Sequence, residues 1–440
     1  MRKTTVQART SRRRAAQARG GQAAVALGVL IAVAACGNDH TASPGTSSAS
    51  GESTSASVSA SATSPSGSPS ASPSATVPPP AHPSPTSKAT QSCVSRVYDG
   101  MTQAQRVGQL FMSAVSTSGL TSAESTAITQ GRTGAVILMG HSSAGTSAIR
   151  SVTGRVQNLS PNVRGVTVRM LVSTDQEGGK VQVLSGPGFS TMPSGVAQGQ
   201  MSPATLQQNA TAWGRQLKAA GVNMNLAPVA DTVPPNLVNV NAPIGKLQRE
   251  YGNDPATVAT HSTAFLRGMQ LAGVLPTAKH FPGLGRVTGN TDTTANVKDT
   301  VTTSNDPYLA PFRSAVQAGS PFIMVSSAIY TKIDPATQAA FSSTVIRGML
   351  RGSLGFNGVV ISDDLGNAVA VKDHTPAQRA VDFVAAGGDI VLTVDPADIA
   401  PMTSAVLARI PQNSAFAKDV HDAVVRVLDE KHNAGLLSCT

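Results

Sequence analysis

Short apolar, β-rich runs recur along the last three-quarters of the chain, with amphipathic stretches between them. The runs are Val107–Val115, Ala135–Met139, Val168–Ser173, Met224–Val229, Leu275–His280, Phe322–Ser326, Val359–Ser362 and Ile390–Val394. Between them, Ala204–Ala220, Pro255–Ala272, Pro307–Ala318, Ser343–Leu354 and Pro376–Ala386 carry apolar residues at helical spacing, and several of these stretches end in glycine, as helix C-termini prefer. Strands alternating with helices imply a parallel sheet. Eight such units, with no glycine-rich dinucleotide or phosphate fingerprint, predict a (β/α)8 TIM-type barrel rather than an open sheet. A last helix near Phe416–Lys431 is expected to pack outside the barrel and to bring the C-terminus back towards the start of the domain.

The first 92 residues lack this pattern. Outside one short run they hold almost no aliphatic side chains, so they cannot bury enough apolar surface to offset chain entropy. That run, Ala23 to Ala35, follows seven basic residues and is too short for the ~20 residues of a membrane span. It reads as an export signal. It ends in Val33-Ala34-Ala35-Cys36, small residues before a cysteine, which resembles the lipobox of bacterial lipoproteins and implies that Cys36 is lipidated. An ordinary cleavage site beside an incidental cysteine is the alternative. The general secretory route is favoured over twin-arginine export, because Ser11-Arg12-Arg13-Arg14 is followed by Ala15-Ala16 rather than by a bulky apolar residue. From Thr41 to about Ser92 the chain is nearly all Ser, Thr, Pro, Ala and Gly, the composition of an extended tether. The expected organisation is therefore a signal peptide over 1–35, a disordered tether over 36–92 and one barrel domain over 93–440.

Charge changes the picture less than it first suggests. The chain has 440 residues and a formal net charge of +10. Arg2, Lys3, Arg9, Arg12, Arg13, Arg14 and Arg19 lie in the signal, leaving 27 basic against 24 acidic residues beyond it. A nucleic-acid partner needs a clustered basic surface, and that small excess does not supply one. Cys93 and Cys439 flank the domain, and an exported protein meets an oxidising compartment, so a disulfide between them is expected in place of two free thiols.

Candidate chemistry gathers at the C-terminal ends of the strands, where barrel enzymes hold their active sites. Asp175 ends the third run, Asp231 follows the fourth, Lys279 and His280 end the fifth, and Asp363 and Asp364 end the seventh. One such residue alone reads as a salt bridge or a helix cap. Together on one rim they read as a site.

Three segments then carry a family likeness: Asp175-Gln176-Glu177-Gly178-Gly179-Lys180-Val181, Lys279-His280-Phe281-Pro282-Gly283-Leu284-Gly285, and Ile361-Ser362-Asp363-Asp364-Leu365. With Arg249-Glu250-Tyr251-Gly252-Asn253-Asp254-Pro255, they resemble glycoside hydrolase family 3, specifically its bacterial β-N-acetylhexosaminidase branch and the mycobacterial-type lipoproteins within it. The resemblance implies a retaining glycosidase, which needs one carboxylate to attack the anomeric carbon and one acid about 5–5.5 Å away to protonate the leaving oxygen. It makes Asp363 the nucleophile and places Asp175, Arg249, Lys279 and His280 on the sugar's hydroxyls. Asp364 better suits a helix N-cap, and Glu177 with its two glycines is expected to shape a turn rather than touch substrate.

The general acid is where the chain departs from that branch. Relatives place an Asp-x-His pair on the long loop after the fifth strand, with the imidazole as acid/base; here the positions read Asn290 and Asp292, and Leu284 removes another histidine. Asp292 is the expected acid, its pKa raised by burial and by Asp363 when a loop hinged on Gly283, Gly285 and Gly289 closes. The other reading is a catalytically weakened sugar-binding lipoprotein. The implied activity is release of terminal β-linked N-acetylglucosamine from peptidoglycan fragments, by a monomer lipid-anchored on the outer face of the membrane, with no metal or cofactor. A family 3 β-glucosidase is a further alternative, although those relatives usually add a second domain.

Overall fold

The computed structural model describes residues 88–439; the signal peptide, Cys36 and most of the predicted tether lie outside them. Helix α1 (Lys88–Gly100) already begins within the stretch assigned to the tether. Eight parallel strands then close into a barrel: β1 (Phe111–Ser116), β2 (Ala135–Met139), β3 (Leu171–Thr174), β4 (Met224–Asn225), β5 (Leu275–Phe281), β6 (Phe322–Val325), β7 (Val359–Asp364) and β8 (Ile390–Thr393). Closure comes from β1 beside β8, with Phe111 opposite Val391.

The alternation along each strand sorts the core into two layers. Met112, Ala114, Ile137, Leu171, Met324, Ile361 and Leu392 pack with one another inside the barrel. Their neighbours Phe111, Val115, Val136, Val172, Ile323, Val360 and Val391 face the helices outside. Both faces are thus buried, which is why the strands read as continuous apolar runs. Each such side chain contributes about 1.5–3 kcal/mol by leaving water.

The helices are α2 (Gln103–Gly108), α3 (Ser122–Gly131), α4 (Gly145–Gln157), α5 (Pro203–Ala219), α6 (Pro255–Leu271), α7 (Ala310–Gln317), α8 (Pro376–Ala386), α9 (Ile399–Arg409) and α10 (Ser414–Asn433), and of these α5 to α8 and α10 bear out the periodic stretches. The stretch Thr344–Ser353 forms a π-helix. Two strand predictions shift by four residues, and the third strand starts at Leu171 rather than Val168. The run from Val107 starts as helix, because Thr102 and Gln105 form a reciprocal cap for α2. The fourth strand stops at Asn225, short of Pro228, whose nitrogen has no hydrogen to donate to a ladder, and Val229 meets Lys279 only in an isolated bridge.

Cys93 of α1 and Cys439 are joined in the predicted disulfide, Cα to Cα 5.8 Å. Helices α1 and α10 meet beside it, with the Tyr98 ring edge-on to His421 at 4.8 Å. A link between residues 346 positions apart restricts the unfolded chain, and chain-entropy reasoning gives it about 6 kcal/mol, above the roughly 2–4 kcal/mol typical of disulfides. Reduction, or Cys439→Ser, is therefore expected to lower the denaturation midpoint clearly while leaving the far-ultraviolet spectrum unchanged. Two thiols open to alkylation in the folded, unreduced protein would contradict the pairing.

At the N-terminal ends of β1 and β2, Lys431 of α10 is fully buried, and its Nζ donates to Gln109 Oε1 at 2.6 Å and to the Gly134 carbonyl at 2.8 Å. Neither acceptor is charged. Burial pushes the ammonium down to about 7. An unfolded chain keeps Lys431 protonated up to ~10.4, so between those values the unfolded state binds the extra proton and stability rises with pH. Relative to Lys431→Met, the parent protein should gain up to about 1.4 kcal/mol per pH unit from pH 7 to 9 in urea denaturation. A difference that stays flat over that range would show that the amine is not held uncharged.

Candidate active site

At the C-terminal rim the chain brings five connections together around one cavity of about 410 Å³. Asp175, Arg249, Lys279, His280, Asp292 and Asp363 all line it, so all six predicted site residues share one space. Below them the walls are apolar, including Ile137, Met139, Leu226, Met324 and Leu392.

Asp175 follows β3 directly, and the chain then doubles back as a small hairpin of Gln176–Gly178 against Val181–Gln182. Gly178 sits at φ +111°, and a Cβ there would lie 2.2 Å from the Pro193 carbonyl, so only glycine fits. Glu177 does not line the cavity; it is the buried counter-ion of the site. Its carboxylate takes Arg249 in a two-point grip, Nε to Oε2 at 2.8 Å and Nη2 to Oε1 at 2.7 Å. Lys279 Nζ lies 2.6 Å from both Glu177 Oε1 and Asp175 Oδ1. Burial alone would raise Glu177, but Arg249 and Lys279 outweigh it and hold the carboxyl at about 2. Burial would likewise lower Lys279 and Arg249, and their carboxylate partners reverse that in both. Glu177 thus lies in the turn and stays out of the cavity, as expected, and in addition it is the charge partner of Arg249 and Lys279. Two buried cations need compensating carboxylates, and that charge balance was the signal in the sequence.

His280, at the end of β5, is held from behind by Asp231, with Nδ1 2.7 Å from Oδ2. Asp231 also accepts the Leu284 N–H at 2.7 Å, which fixes the first turn of the long loop after β5. Asn241 fixes the next turn, donating to the Leu284 and Val287 carbonyls at 2.7 Å each. Gly285 is needed for this packing, since a Cβ would fall 1.8 Å from the Thr232 carbonyl oxygen. Its role is close approach rather than the swing expected of it. Further along, Arg286 pairs with Asp306 at 2.6 Å.

The loop reaches across the cavity to the segment after β7, where Val369 N–H and Ala370 N–H donate to the carbonyls of Asp292 and Thr291 at 3.2 and 3.0 Å. Asn290 Oδ1 accepts the Asp292 N–H at 3.0 Å, so Asn290 builds the turn that presents Asp292. By surface area Asp292 is exposed, yet its carboxyl is enclosed by the cavity wall. That enclosure, and then the charge of Asp363, raise its pKa, with His280 and Arg249 opposing.

Asp363 is half-buried near the end of β7, and its Oδ1 accepts the Asp364 N–H at 2.8 Å. Asp364 does not cap a helix as expected. It holds a turn, accepting the N–H groups of Gly366, Asn367 and Val394 at 2.8, 2.9 and 3.0 Å, because the chain after β7 bends before any helix starts. Among the described residues no group of three or more His, Cys, Asp or Glu could hold a metal ion, and no helix is long and apolar enough to cross a membrane.

Residues 102–429 match the model of the glycosyl hydrolase family 3 N-terminal domain. The chain belongs to glycosyl hydrolase family 3. Among relatives of this family 3 chain, the beta-hexosaminidase of Stenotrophomonas maltophilia (strain R551-3) is 32% identical over 279 residues, covering 60% of this chain and 78% of that protein. The crystal structure of a beta-N-acetylhexosaminidase from Beutenbergia cavernae DSM 12333 aligns with a TM-score of 0.74 at 47% identity, over 76% of this chain and 99% of that one. M tuberculosis LpqI aligns with a TM-score of 0.65 at 25% identity, over 76% of this chain and 95% of that one. The family 3 barrel is thus present nearly whole, and the chain is a glycoside hydrolase.

Proposed function

We propose that the protein is a retaining exo-β-N-acetylglucosaminidase that removes terminal β-linked N-acetylglucosamine, with Asp363 as nucleophile and Asp292 as acid/base. The observation that carries this reading is the convergence on one cavity of a paired cation–carboxylate cluster and a rim carboxylate, with a second carboxyl of raised pKa. Asp175, Arg249, Lys279 and His280 would hold the sugar's hydroxyls through charge-assisted hydrogen bonds. The Asp363 carboxylate attacks the anomeric carbon as the bond to the leaving oxygen breaks, and the Asp292 proton passes to that oxygen. The ionised Asp292 then takes a proton from water, whose oxygen attacks the same carbon and releases Asp363. The names of the relatives support N-acetylglucosamine as the sugar.

The setting belongs to the same proposal. The lipobox-like Cys36 and the Ser/Thr/Pro-rich segment after it support an exported protein, read as a monomer, anchored to the outer face of the cytoplasmic membrane. Peptidoglycan fragments are the glycans within reach there. Incubation with an aryl β-N-acetylglucosaminide tests the core of the reading: release of the aryl group with retained anomeric configuration is expected. Binding of N-acetylglucosamine without any release would favour the sugar-binding alternative and overturn it.

A further inference from the structure

The geometry points to Asp231 as a positioning residue that sets which ring nitrogen of His280 faces the sugar. Its kinetic readout rests on the proposed glycosidase reading; its structural basis does not. The Asp231 side chain is 0% exposed and does not line the cavity. Three donors converge on it: His280 Nδ1 on Oδ2 at 2.7 Å, and on Oδ1 the backbone N–H groups of Leu284 at 2.7 Å and His280 at 3.2 Å. A carboxylate only accepts, so Nδ1 carries a proton, an assignment made from the hydrogen bonds.

Nε2 then presents its lone pair to the cavity. Its neighbour at 3.5 Å is Arg249 Nη2, a donor, which suits a lone pair and would oppose a second N–H. A sugar hydroxyl arriving at His280 therefore finds an acceptor. The Leu284 contact extends the effect, because the same carboxylate fixes the root of the loop that carries Asp292. Asp231 thus touches no substrate, yet it orients one sugar-facing group and the base of the acid loop.

Asp231→Asn tests this with little change in shape. The amide oxygen can still accept from Leu284 and His280 backbone, while the amide nitrogen, now a donor, faces Nδ1. The ring must then accept at Nδ1 and carry its proton on Nε2, against Arg249. Nitrogen-15 spectra of labelled histidine are expected to show the Nδ1–H tautomer for His280 in the parent and Nε2–H in the variant. KM for the aryl glycoside should rise about tenfold or more with kcat changed less, and the melting temperature should hold. Placed on His280→Ala, Asp231→Asn should add less than about threefold, since residues acting as a unit are not additive. An Nε2–H tautomer in the parent, an unchanged tautomer in the variant, or fully additive losses would each overturn the assignment. If neither protein releases the aryl group, the glycosidase reading fails, while the spectrum of the parent still decides the role of Asp231.

Discussion

Asp363→Asn is expected to lower turnover of an aryl β-N-acetylglucosaminide by more than about a thousandfold, at least ~4 kcal/mol of barrier at about 1.4 kcal/mol per tenfold. An amide cannot form the covalent intermediate, and no other carboxylate takes its place: Asp364 is committed to three backbone N–H groups and Asp175 to Lys279. The fold should survive, because the one hydrogen bond that the Asp363 side chain makes among the described residues, Oδ1 from the Asp364 N–H, is equally available to an asparagine oxygen. Stability by urea denaturation is therefore expected to change by less than about 1 kcal/mol. Retention of more than about a hundredth of the parent rate, with the folded protein verified, would show that Asp363 is not the nucleophile.

How much of this was legible in the chain depends on the range of each interaction. The barrel was, because burial on both faces of eight strands imprints continuous apolar runs, and Ala135–Met139 and Pro376–Ala386 appear as read. The convergence of Asp175, Lys279, His280 and Asp363 on one cavity also followed, since a barrel puts every strand's C-terminal end on one rim, whereas Arg249 and Asp292, on the loops beyond, were legible only through the family resemblance. What the sequence concealed was pairing between distant positions. Glu177 looks like part of a glycine turn until Arg249, 72 positions away, closes on it. Asp231 looks like a loop carboxylate until His280 and Leu284 fold over it. Asn241 carries no motif at all, and its grip on the Leu284 and Val287 carbonyls depends wholly on where the loop lies. Strand ends were misplaced where a local signal competed with the apolar run, as with the Thr102 cap and Pro228.

Asp292→Asn is expected to separate substrates by their leaving groups. Departure of a sugar alkoxide needs a proton, so hydrolysis of a glycan linkage should fall by about a hundredfold or more, within the range that general acid catalysis supplies. A nitrophenolate leaves unaided, so formation of the covalent intermediate from its glycoside should be nearly unaffected; its hydrolysis by water, which lacks the base, should slow, and a burst of nitrophenol should appear. The pH profile follows from the same group. Asp292 must be protonated in the first step, and its enclosure beside Asp363 holds its pKa above the usual carboxylate value, so activity on glycans should fall as pH rises through that value. Asparagine cannot ionise, so this alkaline limb should vanish in the variant. Asn290→Ala should have a smaller effect on all substrates, because Asn290 carries no transferable proton: its Oδ1 accepts the Asp292 backbone N–H, and its side-chain hydrogen bond to the Asp292 carboxyl only favours the ionised form. Equal slowing of glycan and nitrophenyl substrates by Asp292→Asn, with the alkaline limb intact, would show that another group protonates the leaving oxygen.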